Sequence, residues 1–458
     1  MKNNYFNGEH IRLEEILHAR ENRSLRQQEM LKLYDYPLIC MTLNIAGPVK
    51  RFPMADRTLA EGIKIIRASL TSRGIPVIDF RSCMEKTGCE AYFSLAAPAD
   101  EIKKIMVGIE DNFPLGRLLD IDVLLKDGRK VERGDIGKAP RTCFLCSMPA
   151  AQCARNRTHS VEQLQHFTKK TMLEFFTEKF ADNISRLAIR ALLYEVSVTP
   201  KPGLVDRANK GAHKDMDFYS FIDSSLSLLP YFRSCVKLGL KHAKSADEDL
   251  FSLLRPQGIL AEKQMFAVTG GVNTHKGAIF SLGLICAAIG RIEACGGQAD
   301  EESVCCEVEK LAKYSLKDFE LTDNKEHTIN MAYVKHKFTG ARGEAASGFH
   351  HVRKLALPEL RYQLKLGKTL NDAGVFVLLR LISIIEDTNV VKRCDKQALE
   401  DIQHKAKKML EQNITHMDEV ERMDQLLIEK NISPGGCADL LAITYFFHFL
   451  LTESELQF

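Results

Sequence analysis

Residues 113–125 read FPLGRLLDIDVLL, and the placing of Asp120 and Asp122 in that run decides how the first third of the chain folds. Leu119, Ile121 and Val123 alternate with the two aspartates, the period-two pattern of a β-strand with one buried face. The aspartates share the other face, where like charges repel and gain nothing from a core. A divalent cation between them removes the repulsion, and magnesium prefers carboxylate oxygens together with substrate phosphates. Clamps of that kind serve phosphoryl and nucleotidyl transfer. The competing reading is an edge strand with one solvated face. Gly116 and Arg117, just upstream, suit a close backbone approach and a phosphate contact, and so weaken that alternative.

Around this strand the elements alternate. YPLICMTLNIAG (36–47) is an apolar run ending at glycine and reads as a strand, and DRTLAEGIKIIRASLTSRG as a helix closed by Gly74. IPVIDFRS and CEAYFSLAA read as two further strands and ADEIKKIMVGIEDNF as a helix. Residues 141–160, RTCFLCSMPAAQCARNRTHS, read as irregular. The period then changes. Ser160 and Gln163 have the capping-box spacing of a helix start, and Ile184, Leu187, Ala188, Ala191 and Leu192 recur on one helical face. The fold class expected is multidomain: an N-terminal α/β domain over 1–170 and an all-α domain over 171–458, with the boundary between residues 160 and 180.

A chain of 458 residues exceeds one ordinary core. Its 45 % hydrophobic and 27 % charged content is that of a globular protein. A formal charge of +3 argues against a dedicated nucleic-acid binder. No continuous apolar run reaches the ~18 residues of a membrane span, and the start, MKNNYFNGEHIRLEEIL, carries no apolar signal core. The expectation is a cytoplasmic enzyme with no nucleic-acid or membrane partner. Thirteen cysteines, odd in number and scattered, fit reduced thiols better than a disulfide framework.

Further motifs supply charge. LNIAGPVK (43–50) ends in a tight Gly-Pro turn followed by Lys50 and Arg51, cations suited to a triphosphate. Cys143, Cys146, Cys153 and His159 have the spacing C-x2-C-x6-C-x5-H, which resembles a tetrahedral zinc set. The single C-x2-C is a weak signal, and Arg141, Arg155 and Arg157 beside it could equally serve phosphates. The expectation here is no bound zinc and no structural disulfide. In the second part, TPKPGLVDRANKGAHKDMDFYSF (199–221) brings Lys201, Arg207, Lys210, His213 and Lys214 together with Asp206, Asp215 and Asp217. TGGVNTHKGAIFSLGLICAA (269–288) carries Asn273, His275 and Lys276 into an apolar helix, whose N-terminal amides favour anions. GARGEAASGF, EDTNVVKR and SPGGCADLLAIT repeat the theme with Arg342, Glu386, Asp387, Gly435, Gly436 and Asp439. Any one loop could be a helix cap; together they suggest a shared polar pocket at one end of a bundle.

The N-terminal part, through LNIAGPVK, GRLLDIDVLL and CFLCSMPAAQCARNRTH, resembles the apo-citrate lyase phosphoribosyl-dephospho-CoA transferase family. The C-terminal part, through TPKPGLVD, GAHKDM, GVNTHKGAIFSLG, GARGEA, EDTN and SPGGCADLL, is similar to the triphosphoribosyl-dephospho-CoA synthase family. The resemblance implies a bifunctional fusion with a nucleotidyltransferase-like first domain. The second domain would join ATP to 3′-dephospho-CoA and release adenine. The first would transfer the product to a serine of the citrate lyase acyl carrier subunit and release pyrophosphate. The candidate catalytic residues are then Asp120, Asp122, Asp206, Asp215, Glu386 and Asp387. The candidate phosphate and nucleotide contacts are Lys50, Arg51, Gly116, Arg117, Lys201, Lys210, His213, Asn273, His275, Lys276, Arg342, Gly435 and Gly436. Magnesium would be held by Asp120 and Asp122, and by Asp215 and Asp439. Two other readings are a nucleotidyltransferase for another carrier, such as a malonate decarboxylase subunit, and a non-catalytic zinc module on a helical scaffold.

Overall fold

The computed structural model describes residues 3–320, 335–412 and 417–452. They divide into two compact units, Lys2–Phe176 and Thr177–Phe458. The division lies inside one long helix.

The first unit contains a four-stranded antiparallel sheet in the order β2-β3-β1-β4. Its strands are β1 (Leu38–Leu43), β2 (Val77–Glu85), β3 (Gly88–Leu95) and β4 (Leu119–Leu124). Period two sorts the faces. Ile39, Met41, Ala91, Phe93, Leu119, Ile121 and Val123 are buried against Leu59, Ile66 and Leu70 of α2 (Pro53–Thr71) and Ile102 and Met106 of α3 (Ala99–Asn112). On the opposite face Leu38, Cys40, Tyr92 and Leu124 meet Met30 and Leu31 of α1 (Leu13–Tyr34). Among the four strands β4 pairs only with β1, placing Asp120 opposite Thr42 and Asp122 opposite Cys40, and its end is bridged by Lys130 at Leu124. The carboxylates therefore stand on the α1 side of an edge strand. The 141–160 segment holds a short helix, α4 (Ala150–Arg155).

Helix α5 (Val161–Ser197) begins at the expected capping box: Gln163 N–H donates to Ser160 Oγ at 3.2 Å and Ser160 N–H to Gln163 Oε1 at 2.9 Å. The regular elements described in the second unit are all helices, joined by loops. α6 (Phe218–Ser227), α7 (Leu229–Lys241), α8 (Asp247–Val268), α9 (Lys276–Ala294) and α10 (Glu301–Glu320) are followed by α11 (Gly340–Ala346), α12 (Leu357–Lys365) and α13 (Leu370–Ile382). α14 (Thr388–Arg393), α15 (Lys396–Glu411), α16 (Asp418–Glu429) and α17 (Gly435–Thr452) complete it. α7 and α9 pack so tightly that a Cβ on Gly239 would sit 2.0 Å from the Ala287 carbonyl oxygen. α9 and α17 are long and apolar enough to cross a membrane, which the search for unbroken apolar runs missed. Their apolar windows are 78 % and 61 % buried inside the protein, so both serve as core helices.

Candidate functional site

Candidate residues gather into a charged constellation in each unit. In the first unit the side chains of Asp120 and Asp122 are 57 % and 32 % exposed. Desolvation, then the Asp122 carboxylate, raises the Asp120 carboxyl above its usual range. The pair is incompletely neutralised: Lys130 Nζ reaches Asp122 at 2.5 Å, while Arg141 approaches Asp120 at 3.7 Å. Arg141 also donates to the carbonyls of Gly116, Arg117 and Leu119 at 3.0, 3.0 and 2.7 Å. Behind β4, buried Glu110 accepts from the Ile121 N–H at 3.1 Å and from Arg133 at 2.7 Å. Sequence reasoning missed Glu110, Lys130 and Arg133, whose partners lie across turns.

Several expected phosphate contacts have other duties. Gly116 is small because a Cβ there would meet the carbonyl oxygens of Ile109 and Glu110 at 2.4 and 2.6 Å. Its backbone closes on helix α3, not on open space. Arg117 donates to the carbonyls of Thr142 and Cys143. Lys50 bonds the Ile45 carbonyl, and Arg51 pairs with Asp56 at 3.0 Å. The Gly-Pro turn thus spends both cations on its own support.

In the helical unit five loops converge on a cavity of about 780 Å³. Lys201, His213 and Asp215 come from the 199–217 loop, and Asn273, His275 and Lys276 from the start of α9. Arg342 lies on α11, Glu386 and Asp387 precede α14, and Gly435, Gly436 and Asp439 open α17. Two expected residues lie elsewhere. Asp206 is 2 % exposed and folds its loop, accepting from the N–H groups of Lys201, Ala208 and Asn209. It borders a second cavity of about 740 Å³ with Asp424 and Arg422. Lys210 stands 4.0 Å from Asp217, the N-cap of α6.

The helix starts that read as anion docks are occupied by the chain's own carboxylates. Asp387 accepts from the N–H groups of Asn389 and Cys437 at 2.8 and 3.0 Å, tying α14 to α17. A Cβ on Gly436 would lie 3.0 Å from Asp387 Oδ2, so glycine permits that approach. Asp439 does the same for α9. Its carboxylate accepts from the Ala278 N–H, and a Cβ on Gly277 would be 2.0 Å from its Oδ2. Burial, then Glu195 and Asp387, pushes Asp439 well above the usual carboxylate range, and burial raises Asp387 too.

Lys201, 1 % exposed, is held by Glu195, which sequence reasoning missed. Burial lowers His213 to about 4, and its ring bonds Ser433 at 2.8 Å and Arg393 at 3.0 Å. His275 is lowered to about 3, first by burial and then by Lys201. Its Nδ1 lies 2.7 Å from Ser224 Oγ, which accepts from Thr274 Oγ1 at 2.7 Å. With the Ser224 hydroxyl donating to Nδ1, Nε2 carries the proton; that atom is buried with no hydrogen-bond partner among the described residues. Also missed were Glu344 and His351, a cavity-lining pair 2.5 Å apart, in which Glu344 raises the imidazole above its ordinary value. Lys276 Nζ meets Glu262 at 2.9 Å.

A family model described as ATP:dephospho-CoA triphosphoribosyl transferase matches residues 181–458. One described as apo-citrate lyase phosphoribosyl-dephospho-CoA transferase matches residues 11–175. Fold, sites and matches define a transferase built in two parts. Protein CitXG of Haemophilus influenzae is 37 % identical over 458 residues, covering 96 % of each chain. Protein CitXG of Leuconostoc mesenteroides subsp. cremoris is 34 % identical, covering 96 % of this chain and 98 % of its own. The chain belongs to the CitXG family. Its helical part is also 40 % identical, over 272 residues, to 2-(5″-triphosphoribosyl)-3′-dephosphocoenzyme-A synthase of Pectobacterium atrosepticum, covering 59 % of this chain and 90 % of that one.

Proposed function

We propose that the chain makes and then attaches the prosthetic group of citrate lyase, with one step in each unit. In the helical unit ATP and 3′-dephospho-CoA give 2′-(5″-triphosphoribosyl)-3′-dephospho-CoA and adenine. In the sheet unit, read as nucleotidyltransferase-like, that product passes to a serine of the citrate lyase acyl carrier subunit with release of pyrophosphate. The observation that carries this reading is the convergence of both signs of charge on one cavity, in the part that matches the synthase family. The reading needs no membrane or nucleic-acid partner, and places the chain in the cytoplasm.

The first step is displacement of adenine from the ribose of ATP by a 2′-hydroxyl. It requires a triphosphate grip, a base, and stabilisation of an oxocarbenium-like state. Lys276, Lys392, Arg342 and Arg393 are the cavity's cations beyond the buried Lys201–Glu195 pair. Glu344, oriented by His351, is the base in this account. The buried Nε2–H of His275 is the donor available to the leaving adenine. Glu386 supplies negative charge, and Asp439, whose raised carboxyl holds its proton, a proton donor.

For the second step Asp120 and Asp122 fit a divalent cation, since two carboxylates share a face and burial together with the Asp122 charge raises Asp120. Magnesium held there would offset charge on the departing pyrophosphate. Arg141 and Lys130 hold the flanking anionic groups.

Two outcomes are expected. A fragment starting at Thr177, where the compact helical unit begins, releases adenine from ATP and dephospho-CoA. A well-folded fragment that releases none, beside an active full chain, contradicts the assignment. Lys276→Ala raises the KM for ATP, because one charge-assisted phosphate contact is worth about 1.5–3 kcal/mol. Unchanged kinetics at an unchanged melting temperature would move the triphosphate to Lys392 and Arg393.

A further inference from the structure

The cysteine segment is ordered by more than its own hydrogen bonds. Cys143 and Cys146 lie on a turn closed by Cys143 N–H donating to the Met148 carbonyl at 2.8 Å and Ala150 N–H to the Arg141 carbonyl at 2.7 Å. Cys153 is on α4 and is buried. The chain then reverses through Arg157, a non-glycine residue at φ 48°, and delivers His159 immediately before the α5 capping box. Four ligand atoms from three different local structures end within 4.8 Å of one another. Cys143 Sγ and Cys153 Sγ are 3.4 Å apart, and His159 Nε2 and Cys146 Sγ are 3.3 Å apart. A zinc ion with Zn–S near 2.3 Å and Zn–N near 2.0 Å sets tetrahedral separations of roughly 3.8 Å between sulfurs and roughly 3.5 Å between sulfur and nitrogen, a few tenths of an ångström beyond those seen here. The Leu145 N–H also points at Cys143 Sγ, at 3.5 Å, as backbone amides do toward metal-bound thiolates. A Cys143–Cys153 disulfide would need the sulfurs at about 2.05 Å, and would leave Cys146 and His159 aimed at the same point without a role.

We propose that Cys143, Cys146, Cys153 and His159 bind one zinc ion, reversing the expectation drawn from spacing alone. Three thiolates and an imidazole select a soft tetrahedral metal. With all four positions filled by protein, the ion is closed to substrate and its role is structural. What it holds is the surroundings of Asp120. The carbonyls of Thr142 and Cys143 fix the Arg117 guanidinium, and Arg141, at the root of the same turn, reaches to 3.7 Å from Asp120. The zinc turn is thus a positioning device for the carrier-transfer site, a role that rests on the function proposed for the sheet unit. The metal assignment itself does not.

The test is elemental analysis of the full chain purified without chelator. One zinc per chain is expected, with less than a tenth remaining in Cys146→Ser and full content restored in His159→Cys, which keeps four tetrahedral ligands. Cobalt(II) exchanged into the wild type should give the thiolate charge-transfer and tetrahedral ligand-field bands, a readout that needs no variant to fold. Carrier modification should fall at least tenfold in Cys146→Ser while adenine release stays unchanged. Wild-type protein with less than a tenth of an equivalent of zinc and no tetrahedral cobalt spectrum, whether its thiols are free or joined as a Cys143–Cys153 disulfide, overturns the site. Zinc retained in Cys146→Ser overturns the ligand set. Zinc present and lost on substitution, with carrier modification intact, overturns the positioning role alone.

Discussion

Asp122→Asn releases adenine at the wild-type rate and leaves the carrier subunit unmodified. The swap preserves size and one hydrogen-bond acceptor but removes one of the two charges that define the edge-strand pair. Stability is not the cause of the loss, because the Lys130–Asp122 contact is partly exposed and such pairs contribute about 0–1 kcal/mol. What goes is half the negative charge available to a divalent cation, and with it the offset for the leaving pyrophosphate. A hundredfold loss corresponds to about 2.7 kcal/mol, within reach of one lost ligand. Manganese(II) binding followed by electron paramagnetic resonance should weaken in parallel, and the triphosphoribosyl intermediate should accumulate in solution. Normal carrier modification would return Asp122 to an ordinary solvated strand face. Loss of both reactions in a folded variant would mean that the two transfers share one site.

Asp439→Asn is expected to move stability and rate in opposite directions. Burial, Glu195 and Asp387 raise the Asp439 carboxyl, so the folded chain holds that proton more tightly than the unfolded chain. The stability this group contributes is fully present below the ordinary carboxylate range and is lost as pH rises through the raised value. Asparagine carries no such charge and can still accept from the Ala278 N–H. The fall in melting temperature from acid toward alkaline pH should therefore be shallower in the variant. Adenine release should drop a hundredfold or more, about 2.7 kcal/mol, because the cavity loses a proton-holding carboxyl group beside the site of glycosyl transfer, and an amide cannot donate that proton. A variant as active as the wild type would make Asp439 a helix cap and nothing else. A steeper loss of stability with pH would mean that its charge is compensated in the folded state.

The sheet was legible because period two survives at an edge: Leu119, Ile121 and Val123 reach 0, 1 and 0 % exposure while Asp120 faces out. Helix α1 was not legible. Leu13, Leu17, Leu25 and Leu33 are exposed, so its sequence has no continuous apolar stripe. The loops of the helical unit were recognisable from glycines beside charges, and most of their side chains meet at one cavity. The pairings among them were not, because they are tertiary. Nothing local distinguishes Lys201, buried against Glu195, from Lys276, which faces the cavity. Gly277 and Gly436 look like phosphate-binding glycines, yet both make room for carboxylates from distant sequence. Glu344 and His351 offered one signal, a spacing of seven residues that puts acid and imidazole on one side of a helical path. The cysteine cluster shows the converse: its spacing was ambiguous, and three dimensions bring all four ligand atoms together.

One reaction tests the whole account. Wild-type chain is incubated with ATP, 3′-dephospho-CoA and magnesium, adenine is quantified, and unmodified citrate lyase acyl carrier subunit is then added and weighed by mass spectrometry. The prediction is adenine release before the carrier is present, then a carrier mass increased by one phosphoribosyl-dephospho-CoA group, with pyrophosphate formed in equal amount. A carrier that instead gains an adenylyl group, or one that gains the full group with no adenine released, would contradict two sequential transfers on one chain.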